Sequence, residues 1–124
     1  MKLTEAITMI DALVPNSYTD EDKIRWLSNL DGTIKKNIID KHVGGTEVTF
    51  EGYTADTPLE TELLVPAPYD MSIYSYWLQA QIDYWNQELS KYNNSITMYN
   101  TAYSEFERWY IRNHMPVERK LKFF

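Results

Sequence analysis

Apolar residues return every three or four positions in four stretches of this chain, and turn and cap signals separate the stretches. In the first, Ala6, Ile7, Ile10, Leu13 and Val14 form a stripe. Thr4 is its expected cap, Glu5 sits in the favourable first turn, and Pro15 stops it. The second opens on Thr19 followed by Asp20-Glu21-Asp22, a hydroxyl cap with three carboxylates near the positive end of the helix dipole. Ile24, Leu27, Leu30, Ile34 and Ile38 continue it, Lys35, Lys36 and Lys41 lie toward its negative end, and Gly44-Gly45 supply a stop. Gly32 weakens the pattern by about 1 kcal/mol relative to Ala and marks a candidate kink.

Helical periodicity is lost over residues 46–69. Residues 46–51 alternate as a short strand would, which makes a small β-hairpin a candidate, while Pro58, Pro66 and Pro68 favour extended connections. A crossing this long without a helix of its own is uncommon in a small domain and is often functional. Asp70 then reads as the cap of a third helix, with Tyr69 and Tyr74 placed to close a hydrophobic staple. Tyr74, Trp77, Leu78, Gln81, Trp85 and Leu89 share one face of it, widened by Ile73, Ala80 and Tyr84. Asn93-Asn94-Ser95 signals a turn and cap. The fourth helix carries Ile96, Tyr99, Ala102, Tyr103, Phe106, Trp109 and Tyr110, antiparallel to the third as a hairpin. Met115-Pro116 ends the pattern.

The expectation is an all-α fold: a small bundle of about four main helices over residues 1–114, a long acidic loop at 44–69, and an extended C-terminal tail at 115–124. The length of 124 residues suits one domain, and a hydrophobic fraction of 44% is too high for a disordered chain. No apolar run approaches the roughly 20 residues of a membrane-spanning helix, and the N-terminal residues lack a signal-peptide pattern. A soluble protein without a membrane partner is expected. With no cysteine, neither disulfides nor thiolate metal sites are available.

Charge placement changes the picture more than its total of −6. Residues 44–70 carry Glu47, Glu51, Asp56, Glu60, Glu62 and Asp70 without one basic residue, and the flanking stretches cancel each other. Such a segment repels phosphate and argues against ordinary DNA binding. Aromatic residues make up 15% of the chain, as 4 Trp, 10 Tyr and 4 Phe. A four-helix domain this small has too little interior for all of them, and Tyr and Trp are favoured anchors of protein interfaces. Tyr76, Tyr84, Tyr92 and Tyr110 spread around their helices, and some of this surplus is expected to face a partner.

Little supports catalysis. His42 and His114 each lie beside a predicted helix end and read as C-terminal turn residues. There is no Gly-rich phosphate loop, HExxH or Gly-x-Ser-x-Gly motif. Asp20-Glu21-Asp22 lacks the spacing of a calcium loop. Glu105 and Glu107, two apart, do not share a helix face. Neither an enzyme nor a cofactor is expected.

The tail is different in kind. Arg119, Lys120 and Lys122 alternate with Leu121 and lead into Phe123 and Phe124. This basic, aromatic-ended peptide complements the acidic segment of a neighbouring copy, an arrangement that favours head-to-tail contacts closing into a ring. The expected subunit-interface residues are Glu47, Glu51, Asp56, Glu60, Glu62, Tyr76, Tyr110, Arg119, Lys120, Lys122, Phe123 and Phe124.

The layout resembles the small head–tail connector, or adaptor, proteins of tailed bacteriophages and prophages. A capped helix pair ("TEAITMIDALVPNSYTDEDKIRWLSNLDGTIKKNIID") leads through an acidic stretch to a proline-rich lead ("LLVPAPYD") and an aromatic helix ("MSIYSYWLQAQIDYWNQELSKYNNS"). The resemblance spans about Leu3 to His114. It implies a virion structural protein, assembled in the bacterial host cytoplasm, forming a ring of about a dozen copies beneath the portal. Its partners would be copies of itself, the portal and tail proteins, with DNA passing through a central channel without sequence-specific binding. The alternatives are another morphogenesis role, in tail completion or as an assembly chaperone, or a small helical ligand-binding or regulatory protein.

Overall fold

The computed structural model describes residues 1–117, and these form four α-helices and no strand. The helices are α1 (Leu3–Leu13), α2 (Asp20–Asn37), α3 (Asp70–Trp85) and α4 (Leu89–Asn113). Short 3₁₀ turns at Ile39–Lys41 and Gly45–Glu47 follow α2.

α1 begins one residue before Thr4, with Lys2 rather than Thr4 at the cap position. Its first free N–H groups do not need a hydroxyl cap because the central segment satisfies them. Leu3 donates to the Thr61 carbonyl at 2.9 Å and Thr4 to the Leu59 carbonyl at 3.0 Å, while Glu5 accepts from the Lys2 N–H at 2.9 Å. α2 opens as its sequence dictates: the Thr19 hydroxyl accepts from the Asp22 N–H at 3.1 Å, and the Asp22 carboxylate reaches back to the Thr19 N–H. The helix runs unbroken through Gly32 and ends at Asn37, seven residues before the predicted glycine stop. Gly44, at φ +85, turns the chain after the first 3₁₀ turn. A Cβ on Gly45 would fall 2.0 Å from the Ile39 carbonyl oxygen, so only glycine fits there.

Leu3, Ala6, Ile7 and Ile10 of α1 pack with Ile24, Leu27, Leu30 and Ile34 of α2 in one core, completed by Ile73, Tyr74, Leu78 and Ile82 of α3 and Tyr99, Ala102 and Phe106 of α4. Lys23 is buried in α2, where its ammonium meets Asp11 of α1 at 2.6 Å and the Tyr18 carbonyl at 3.0 Å. α3 is the central helix, touching α1, α2 and α4. Burial therefore extends around much of its circumference, with Ile73, Tyr74, Leu78, Ala80, Ile82 and Asp83 all inside, and its single predicted stripe is a poor description.

The α3–α4 turn departs most from the sequence expectation. Asn93-Asn94-Ser95 lies within α4, and the chain reverses at 86–88 instead. The Gln87 N–H donates to the Tyr84 carbonyl and the Glu88 N–H to the Asp83 carbonyl, each at 3.0 Å, with Gln87 left-handed at φ +60. Glycine usually fills this position; a side chain there hides the signal. Ser95 stays helical because its hydroxyl donates to the buried Asp83 carboxylate at 2.7 Å. Gln87→Gly relieves the left-handed strain and is expected to stabilise the fold by about 0.5–1 kcal/mol, read as a higher urea midpoint. An unchanged or lower midpoint would contradict this reading of the turn.

Candidate functional site

The acidic segment is held to the bundle by a carboxylate from outside it. Asp31, in the middle of α2, is fully buried. One of its oxygens accepts from the Tyr53 hydroxyl at 2.6 Å and the Leu64 N–H at 3.0 Å; the other accepts from the Tyr74 hydroxyl at 2.7 Å. The Tyr74 oxygen accepts in turn from the Val65 N–H at 2.9 Å. Four pieces of chain thus converge: α2, two points of the central segment, and α3. Burial pushes the Asp31 pKa up, and the hydrogen bonds from Tyr53, Tyr74 and Leu64 offset part of that rise. Burial and the adjacent Asp31 also raise both tyrosine pKa values. Further along α2, the Ser28 hydroxyl accepts from the Tyr53 N–H at 3.0 Å.

With Tyr53, Leu63 and Val65 turned into the core, the predicted acidic interface residues Glu47, Glu51, Asp56, Glu60 and Glu62 are all exposed. They do not act as one block. Glu60 pairs with Lys2 at 2.8 Å and Glu62 with the Met1 amino group at 3.1 Å, closing the antiparallel bridge between Lys2 and Glu62. Glu47, Glu51 and Asp56 make no ion pair among the described residues. That bridge replaces the hairpin considered for this segment, since 46–51 does not form a strand.

The two predicted interface tyrosines are half-buried and lie in different places. Tyr76 lines a shallow groove of about 450 Å³ between α1 and α3, with Met9, Ala12, Leu13, Met71 and Ser75. Tyr110 stacks on His114 at 3.7 Å, with their planes 5° apart, and meets His42 edge-on at 5.0 Å. Each histidine Nδ1 contacts a carbonyl four residues back, His42 to Ile38 and His114 to Tyr110, as residues of a helix end do. Next to this stack the Val43 N–H donates to the Met115 carbonyl at 2.8 Å, which ties the start of the tail to the chain just after the first 3₁₀ turn. Arg119, Lys120, Lys122, Phe123 and Phe124 lie outside the described residues.

Sequence reasoning missed one surface. Trp85 and Leu89, assigned to the core face of α3, are 58% and 67% exposed, and Tyr84 beside them is 51% exposed. The Tyr84 ring meets Trp85 at 5.2 Å and Tyr92 at 5.7 Å, making an uncharged aromatic knob at the α3–α4 turn. Its signal was the turn itself: a helix ending at Trp85 cannot carry Leu89 on the same face. Tyr69 did not remain with Tyr74 as a staple, but lies against Phe106 and Trp109 of α4.

No known protein family, characterised protein or solved structure matches this chain. Among the described residues no three His, Asp or Glu side chains gather as a metal site would require. No described helix is long and apolar enough to cross a membrane.

Proposed function

We propose that this chain is a non-enzymatic structural subunit of the head–tail connector of a tailed bacteriophage or prophage. Copies assemble as a ring between portal and tail proteins, in a virion built in the host cytoplasm. The observation that carries this reading is the acidic segment clamped to the helical bundle through Asp31, with five carboxylates facing outward and Glu47, Glu51 and Asp56 free of ion pairs among the described residues. A firmly held acidic wall suits a channel through which DNA passes without sticking, because it repels phosphate along its length. The same surface offers opposite charge to the basic tail of an adjacent copy, with Phe123 and Phe124 as its anchors.

Mixing the purified chain with portal and following light scattering or cryo-microscopy tests the reading. Ring-shaped density on the portal is expected; a monomer indifferent to the portal would overturn it. Deleting residues 117–124 should leave thermal unfolding unchanged while weakening portal-dependent assembly. Loss of folding on truncation would instead make the tail part of the core.

A further inference from the structure

Where the chain leaves α4 it borders a groove of about 680 Å³. Ile111 and Val117 leave its apolar wall open, at 49% and 37% exposure. Asp40, Lys41 and His42 line it from the first 3₁₀ turn and its end, and Glu107 from α4. Lys41 and Glu107 make no ion pair among the described residues, whereas Asp40 pairs with Lys35. His42 is buried, and its Nδ1 donates to the Ile38 carbonyl, which leaves Nε2 as the acceptor of the neutral ring. Nε2 has no hydrogen bond among the described residues, where no buried side-chain nitrogen or oxygen lacks a partner. It therefore sits on the accessible edge of the ring that lines the groove. An apolar wall beside a set of acceptors fits a peptide that is both basic and apolar.

We infer that residues 118–124 of the same copy seat in this groove as a strap, which withholds the tail from neighbouring copies until assembly. Direction selects this occupant. His42 and Pro116 form an antiparallel bridge beside the hydrogen bond from Val43 to Met115, so the chain runs back toward Lys41 and Asp40. Val117 already lines the groove, and residues 118–124 span roughly 20 Å when extended, enough to cross it. Chemistry agrees with direction. Glu118 follows beside Lys41, and Arg119, Lys120 and Lys122 are complementary to Glu107, Asp40 and the His42 acceptor. Leu121, Phe123 and Phe124 match Ile111 and Val117. Tethering favours the copy's own tail, because a short link gives an effective concentration on the order of mM, above that of free copies. The inference rests on the connector reading and adds regulation to it. The strap opens when the acidic segment of a neighbour, held in place by the portal, competes for the tail. Opening is local and precedes melting of the bundle, so loss of the tail leaves the thermal midpoint where it was.

The chain has no cysteine, so an engineered pair reports the seat directly. Asn37→Cys puts a thiol on the groove wall, and Lys122→Cys puts one on the tail. In the control pair, Ser90→Cys/Lys122→Cys, the first thiol lies roughly 25 Å along α4 from Glu107, out of the tail's reach. In dilute solution with mild oxidant and no portal, Asn37→Cys/Lys122→Cys is expected to close an intramolecular disulfide about tenfold faster than the control. Adding Phe123→Ala/Phe124→Ala should slow that closure about tenfold. The locked chain should fail to join the portal until reductant frees the tail. Equal closure in the two pairs, a disulfide formed chiefly between chains, indifference to the phenylalanine substitutions, or portal assembly by the locked chain each overturns the inference. Rings on the portal from chains that show no closure sink only the inference. Closure as expected in chains that ignore the portal even when reduced sinks the connector reading and leaves the seat standing.

Discussion

Replacing Asp31 by alanine is expected to lower the unfolding free energy by about 4 kcal/mol or more. The substitution leaves the Tyr53 hydroxyl, the Tyr74 hydroxyl and the Leu64 N–H without their acceptor, in a site where Asp31 and Tyr74 have no exposed surface. Each stranded buried donor costs about 1–3 kcal/mol. Against a typical total of about 5–15 kcal/mol, the variant stands close to unfolding. Asparagine is a poor rescue: whichever way its amide points, an NH₂ replaces one acceptor, and donors face donors. Urea denaturation followed by tryptophan fluorescence measures both variants. A loss below about 1 kcal/mol for Asp31→Ala would mean that the carboxylate does not clamp the segment.

The pH dependence has a definite sign. The Asp31 pKa is raised in the folded state, so its linked contribution is fully present below the unfolded value near 3.8 and is lost as pH rises through the folded value. The penalty of Asp31→Ala should therefore grow as pH falls from neutrality toward about 3. Asp11 behaves oppositely. Its hydrogen bond from the Lys23 ammonium lowers its pKa, and its contribution, present above 3.8, is lost as pH falls through the lowered value. Comparing Asp31→Ala with the parent chain across pH isolates the first effect, since both retain Asp11.

Phe106→Ala is expected to cost about 3–5 kcal/mol, whereas Trp85→Ala should change stability by less than about 0.5 kcal/mol. Phe106 is 1% exposed, with ring centroids of Tyr69 and Trp109 both at 6.1 Å and Tyr110 at 5.9 Å. Its removal opens a cavity and takes three aromatic contacts, each worth about 0.5–1.5 kcal/mol beyond burial. Trp85 has most of its surface in water and its ring against exposed Tyr84. Thermal melts of the two variants separate core aromatics from surplus ones. Comparable losses would place Trp85 in the structural core.

These variants also mark what could be read without coordinates. Phe106 and the α4 stripe were legible because burial there follows helical periodicity. Asp31 looked like one more charge on an amphipathic helix. Its partners lie 22, 33 and 43 residues away, at Tyr53, Leu64 and Tyr74, and no local pattern announces such a meeting. Lys23 was equally opaque, being buried by a carboxylate from the preceding helix.

The sequence by itself determined the four helices, the Thr19 cap and the acidity of the central segment. All follow from composition or from interactions within a few residues. Tertiary structure alone decided where α1 begins, where α3 ends and which aromatics remain outside. Distant carbonyls replaced the Thr4 cap, and a left-handed Gln87 closed the turn before the polar run that seemed to mark it. Once the chain turned at Asn86, Trp85 and Leu89 lost the core face that periodicity had assigned them. Helix termini are settled by which groups satisfy their free N–H and C=O, and here those groups come from remote chain or from a residue type that carries no turn signal.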